Sequence, residues 1–188
     1  TGDDKPPFSI WFIDLDNFKH INDSHGHRVG DRLLQQAAAR ILRHFGEQDL
    51  ICRQGGDEFI VLSRQVDETR VREQARALLE SLLQAFEIGD YAFRIGASIG
   101  ICFYPEDGRD FDSLFSAADS AMYEAKKKKN SYHLYTDRLR QQVQQTARID
   151  QALRNAVGNG EVDMVYQLQV ERDGHPCGVE ALCRWNSP

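Results

Sequence analysis

FIDLDNFKHINDSHGHRVGD, Phe12 to Asp31, and RQGGDEFIVL, Arg53 to Leu62, decide how this chain is read. The run FSIWFI, Phe8 to Ile13, is aromatic and β-branched, which predicts a buried strand, and carboxylates Asp14 and Asp16 end it. Gly55-Gly56 between apolar runs predicts a hairpin, because glycine adopts positive φ without steric cost. Carboxylates at a strand end, facing carboxylates in a neighbouring turn, suit Mg²⁺. That hard ion takes one or two carboxylates plus substrate phosphates. A pair of such ions can activate an attacking hydroxyl and stabilise a leaving oxygen. The glycines would let phosphate approach backbone N–H groups. Taken one at a time, the same stretches describe a strand with solvated acids and a plain glycine turn. The residues alone leave both readings open.

Outward from these stretches the pattern is mixed. Phe18 to Ser24 predicts one or two helical turns stopped near Gly26. Asp31 to Phe45 predicts an amphipathic helix, with Leu33, Leu34, Ala37, Ala38, Ile41, Leu42 and Phe45 at three- and four-residue spacing. Its start is placed at Gly30-Asp31 and its stop at Gly46. Leu50–Arg53 and Glu58–Ser63 read as the hairpin strands, Glu68–Phe86 as a second long helix, and Tyr91–Ile95 and Ala97–Tyr104 as strands. A third helix is predicted over Asp112–Lys127 and a short edge strand over Tyr132–Tyr135. This order predicts an α+β fold, a central sheet flanked by helices. Asp137–Val157 reads as a polar helix, and Met164–Val170 and Val179–Trp185 as two further strands around Asp173-Gly174.

Composition narrows the function classes. The chain has 188 residues and a net charge of −6, so a broad nucleic-acid-binding surface is not expected. Apolar stretches such as Ile10–Ile13 are far too short to cross a bilayer. No basic, hydrophobic and small-residue series opens the sequence, so no secretory signal is read. Cys52, Cys102, Cys177 and Cys183 form no Cys-x-x-Cys pair and are expected as reduced, small core residues of a cytoplasmic protein. His20, His25, His27 and His44 are expected at the surface or in turns, without zinc.

Together the two opening stretches resemble a GGDEF-domain diguanylate cyclase. ASIGICFYPEDG, Ala97–Gly108, and AADSAMYEAKKK, Ala117–Lys128, match the later part of that family. MVYQLQV, Met164–Val170, with GVEALCRW, Gly178–Trp185, resembles the start of an EAL domain, the barrel that hydrolyses cyclic di-GMP. The resemblance implies a nucleotidyl-cyclase-like GGDEF domain over 1–135, a linker helix over 136–160 and the first strands of an incomplete EAL barrel over 161–188. It implies condensation of two GTP molecules into cyclic di-GMP with release of pyrophosphate. Each subunit of a homodimer would hold one GTP, and each 3′-hydroxyl would attack the other's α-phosphate. By motif position Asp14, the Leu15 carbonyl and Asp57 would hold Mg²⁺ or Mn²⁺, two ions per GTP site. Asp57 and Glu58 would be catalytic. Asn22 and Asp31 would read guanine, and Lys19 and Lys126 would meet the triphosphate. In the EAL segment Glu180 would be a metal ligand, and Gln167 and Arg184 would contact cyclic di-GMP. Leu168 stands where that family usually has proline.

Three departures from the pattern matter. The family's AKxxGRN segment sends a lysine and an arginine to the triphosphate. Here Lys126 matches the lysine, and Lys129-Asn130 stands where Gly-Arg-Asn is expected. This motivates an alternative, a weakly catalytic GTP-binding module that regulates an attached EAL phosphodiesterase. The Arg-x-x-Asp product-binding site is represented by Gly46-Glu47-Gln48-Asp49, so tight product inhibition through that surface is not expected. The family's LTGLxNR-like opening segment is not matched, and the EAL segment by itself is expected to be inactive. The expected setting is the cytoplasmic part of a larger protein, with any membrane segment outside this chain.

Overall fold

Phe8–Leu15 forms β1, the middle strand of a sheet whose two faces are both covered by helices. The computed structural model describes residues 5–186. The remaining elements of the first unit are α1 (Phe18–His25), α2 (His27–Arg43), β2 (Leu50–Gly55), β3 (Glu58–Ser63) and α3 (Glu68–Leu83). They are followed by β4 (Phe86–Ile88), β5 (Tyr91–Phe93), β6 (Ala97–Tyr104), α4 (Phe111–Lys126) and β7 (Ser131–Leu134). The central sheet has the order β2-β3-β1-β6-β7. All its pairings are antiparallel except β6 with β7, which the α4 crossover makes parallel.

The unbroken apolar run of β1 follows from this placement. Successive side chains point to opposite faces of a sheet. Trp11, Ile13 and Leu15 therefore join one core with Leu33, Ala37 and Ile41 of α2 and Val71, Leu78 and Leu82 of α3. Ile10 and Phe12 join the other core with Leu114, Ala118 and Met122 of α4. Gly100 of β6 lets α4 come close: a Cβ there would lie 2.0 Å from the Ala118 carbonyl oxygen and 2.2 Å from the Met122 nitrogen.

Three expectations need correction. The helix placed from Asp31 begins at His27, so Gly30 and Asp31 lie inside it and Asp31 is not a helix cap. The helix placed to Phe86 ends at Leu83, and Phe86 opens the small β4-β5 hairpin around Gly89. Arg40 explains that break. Its guanidinium donates to the carbonyls of Ser81, Gln84 and Ala85 and lies 3.6 Å from the centre of the Phe86 ring. It thus takes over carbonyls that a longer helix would have used. Of the four cysteines, all free, only Cys102 is buried; Cys52, Cys177 and Cys183 are exposed. Alternation accounts for Cys52, which falls on a mostly exposed edge strand, β2.

A second unit begins at Gln141. It holds most of α5 (Asp137–Ala156) and an antiparallel hairpin of β8 (Val162–Val170) and β9 (Pro176–Trp185). Gln167 faces Glu180 across this hairpin, and Asp163 faces Arg184. Most of its strand residues are exposed. Among the described residues no helix is long and apolar enough to cross a membrane.

Candidate active site

The strand register brings the two acidic stretches together. Asp14 pairs with Glu58 on one side of β1 and with Ser98 on the other. The Leu15 N–H donates to the Asp57 carbonyl at 3.2 Å. The end of β1 and the β2-β3 turn are therefore one place, with Gly56 at φ 50° making the tight bend.

Asp14 and Asp16, two residues apart, have different surroundings. Asp16 is buried and saturated. It accepts from the Ser98 hydroxyl at 2.7 Å and from the Asn130 N–H at 2.7 Å. Asp14 is equally buried, yet among the described residues its one side-chain partner is Lys126, the last residue of α4, at 2.8 Å. Burial pushes the Asp14 carboxyl up to about 6; Lys126 opposes this, and the charges of Asp57 and Glu58 add to it. Burial alone would lower the Lys126 ammonium, but its hydrogen bond to Asp14 and the three carboxylates raise it. The cluster thus has more negative charge than one lysine neutralises.

Among the described residues no group of three or more His, Cys, Asp or Glu side chains is gathered to hold an ion. Two carboxylates supply hard oxygen donors, and the Asp14 charge is poorly compensated. This donor set fits Mg²⁺ in the mode where phosphate oxygens complete the shell.

Asn22 and Asp31 lie on α1 and α2, which Gly30 brings into contact. A Cβ on Gly30 would lie 1.8 Å from Asn22 Oδ1. That oxygen is buried and has no hydrogen-bond partner. A buried acceptor without a donor costs stability. Asp31 lies at the mouth of a groove of about 450 Å³ between α2 and β2, with Leu34, Arg53 and Phe59. Lys19, near the start of α1, is exposed, and its side chain makes no hydrogen bond or ion pair among the described residues.

Lys129, which stands where the family's Gly-Arg is expected, has a definite place in the structure. Its ammonium donates to Asn17 Oδ1 at 2.9 Å, in the turn between β1 and α1. Lys129 and Asn130 both have positive φ, 56° and 40°, so the turn after α4 is made without glycine. Sequence reasoning missed Ser98 and Asn130, which lock Asp16. Their separations from it, 82 and 114 residues, leave no local signal. At the Gly46–Asp49 stretch, both Asp49 oxygens accept backbone N–H groups, from Gly46 at 2.8 Å and Arg64 at 3.0 Å. That carboxylate holds a loop.

Comparison with known proteins identifies the family. Residues 2–132 match the family model described as diguanylate cyclase, GGDEF domain. The chain is 38% identical over 183 residues to the bifunctional diguanylate cyclase/cyclic di-GMP phosphodiesterase MucR of Pseudomonas aeruginosa, covering 96% of this chain and 27% of that protein. It is 34% identical over 186 residues to the cyclic di-GMP phosphodiesterase PdeR of Escherichia coli, covering 98% and 28%. The chain therefore spans about a quarter of the length of these relatives. Among solved structures, an EAL/GGDEF domain protein from M. capsulatus is 41% identical with a TM-score of 0.66, covering 71% of this chain and 88% of that one. The GGDEF domain of TpbB (YfiN) from Pseudomonas aeruginosa is 35% identical with a TM-score of 0.67, covering 70% and 83%.

Proposed function

The chain belongs to the GGDEF family of diguanylate cyclase domains, and from that premise we propose that it condenses two GTP molecules into cyclic di-GMP and pyrophosphate. The observation that carries this reading is the buried, under-neutralised Asp14 beside Asp57, Glu58 and Lys126. Asp14 and Asp57, with the Leu15 carbonyl, would hold Mg²⁺ or Mn²⁺, two per GTP. When bound, the ions would neutralise triphosphate charge and stabilise the departing pyrophosphate.

The chain's own residues do the rest. The buried Asn22 oxygen accepts from the guanine amino group, and Asp31 accepts from the guanine N1–H and N2–H edge. Neutral adenine has no N1–H, so ATP is rejected by an unmet acceptor. Lys126 leaves Asp14 for the phosphates, and Lys19 and Lys129 approach from the β1-α1 side. Asp57 or Glu58 takes the proton of the 3′-hydroxyl that attacks the partner subunit's α-phosphate. One domain presents one GTP, so a homodimer is the active unit.

We place this domain, over 1–135, in a longer cytoplasmic protein. Asp137–Ala156 is read as a linker helix and the β8-β9 hairpin as the opening of an EAL domain. In it Glu180 would serve a metal, and Gln167 and Arg184 cyclic di-GMP. A relative with both activities, MucR, supports this reading. The test is incubation of the full-length protein with GTP and Mg²⁺ and identification of products. Cyclic di-GMP that disappears in Asp57→Ala supports the assignment; GTP left unchanged at every protein concentration overturns it.

A further inference from the structure

We propose that the groove between α3 and β7 binds phosphate groups, at a place separate from the acidic site. Its volume is about 480 Å³, and it is lined by Arg72, Arg76 and Leu79 of α3, Lys128 of the turn after α4, and Tyr132 and His133 of β7. Among the described residues no aspartate or glutamate lines it, and Glu68 reaches it only through its pair with Arg72. In a chain of net charge −6, a concavity lined by three permanent cations, two of them without a carboxylate partner among the described residues, is locally positive.

The groups also converge. Arg72 and Arg76 are one helical turn apart and so share a face of α3. Glu68 holds Arg72 through Oε1, 2.8 Å from Nε and 2.6 Å from Nη2. That leaves the fork oriented. The side chains of Arg76, Lys128 and His133 make no hydrogen bond or ion pair among the described residues, so their donors are available. Guanidinium forks and an ammonium arriving from separate elements suit a compact, multiply charged tetrahedral ligand. The volume falls in the range of small-molecule sites. An extended acidic peptide fits less well, because β7 offers it an edge of four residues.

Two sources share this chemistry, free pyrophosphate and the phosphates of a nucleotide. The test is amide NMR of the full chain carrying Asp57→Ala, without divalent ions, titrated separately with inorganic pyrophosphate, guanosine diphosphate and hexaglutamate. Saturable shifts over Arg72–Leu79 and Ser131–Leu134 are expected. They should weaken at least tenfold in Arg76→Ala/Lys128→Ala, whose melting temperature should stay unchanged. Saturation by pyrophosphate and by the nucleotide identifies a general phosphate site, and saturation by the nucleotide alone identifies a nucleotide site. Shifts that rise linearly, that survive the double substitution, or that saturate with hexaglutamate alone overturn the proposal. The outcome does not depend on GTP turnover, so it is distinguishable from failure of the cyclase reading.

Discussion

Asp14 and Asp16 sit on the same strand end and are equally inaccessible, yet they are built for opposite ends. Asp16 is closed: a hydroxyl from β6 and a backbone N–H from the turn after α4 satisfy its oxygens. Asp14 is open: a single lysine faces it, and neighbouring carboxylates raise its affinity for a proton. The first arrangement ties three parts of the chain together. The second stores electrostatic cost at a site where a cation and phosphates can relieve it. Hydrogen-bond satisfaction marks Asp16 as the structural acid, and departure from it singles out Asp14 as the acid proposed to bind the ion.

The largest effect that sharpens this contrast is on chemistry. Asp14→Asn is expected to lower cyclic di-GMP formation by about a hundredfold or more, in keeping with loss of a group that stabilises charge in the transition state. Urea unfolding of this variant at pH 7.5 should show no loss of stability, because a buried charge is removed. If Asp14→Asn unfolds as readily as a core cavity mutant, the two acids are both structural.

Asp16→Ala should do the reverse and cost about 3 kcal/mol of stability, measured by the same unfolding, by stranding the Ser98 hydroxyl and the Asn130 N–H. The pH dependence of the metal-free chain should follow Asp14. Its folded value, about 6, lies above the ordinary 3.8. The folded state therefore holds a proton that the unfolded state releases. The contribution is full below pH 3.8 and lost as pH rises through about 6, on the order of 3 kcal/mol across that window. Melting temperatures of wild type and Asp14→Asn should accordingly diverge as pH rises from about 4 to 6 and keep a constant difference above that. Mg²⁺ with GTP should raise the wild-type melting temperature more at pH 7.5 than at pH 5. Equal shifts at both pH values would separate Asp14 from the ion.

Gly30→Ala tests the guanine side. The new methyl displaces Asn22 Oδ1, so GTP affinity should fall about tenfold by calorimetry, with ATP binding unchanged. The smallest effect is expected at Asp49→Ala. Its oxygens are used by Gly46 and Arg64, so cyclic di-GMP binding should not change. Submicromolar product binding that this substitution abolishes would refute that.

The sheet, the long helices and the meeting of β1 with the glycine turn were legible because they rest on local periodicity and turn chemistry. The start of α2 was not, because Gly30 reads as a boundary; it sits in a helix there so that Asn22 can pack against it. Phe86 kept the helical spacing of the residues before it, and only the distant Arg40 shows why the helix stops earlier. The Asp14–Lys126 pair could be anticipated only as a metal ligand and a separate triphosphate contact. Their direct contact depends on α4 returning its last turn to the tip of β1. Exposure of Cys52 was missed because an edge strand and a central strand of similar composition look alike in sequence.

The account's centre is that the β1 tip and the glycine turn share divalent ions with GTP. Paramagnetic broadening by Mn²⁺ in the presence of a non-hydrolysable GTP analogue addresses it directly. Amides of Asp14–Leu15 and of Asp57–Glu58 should broaden together at the lowest Mn²⁺ concentrations, and neither pair should broaden in Asp14→Asn. Broadening confined to one of the two segments, or centred elsewhere on the chain, would contradict it.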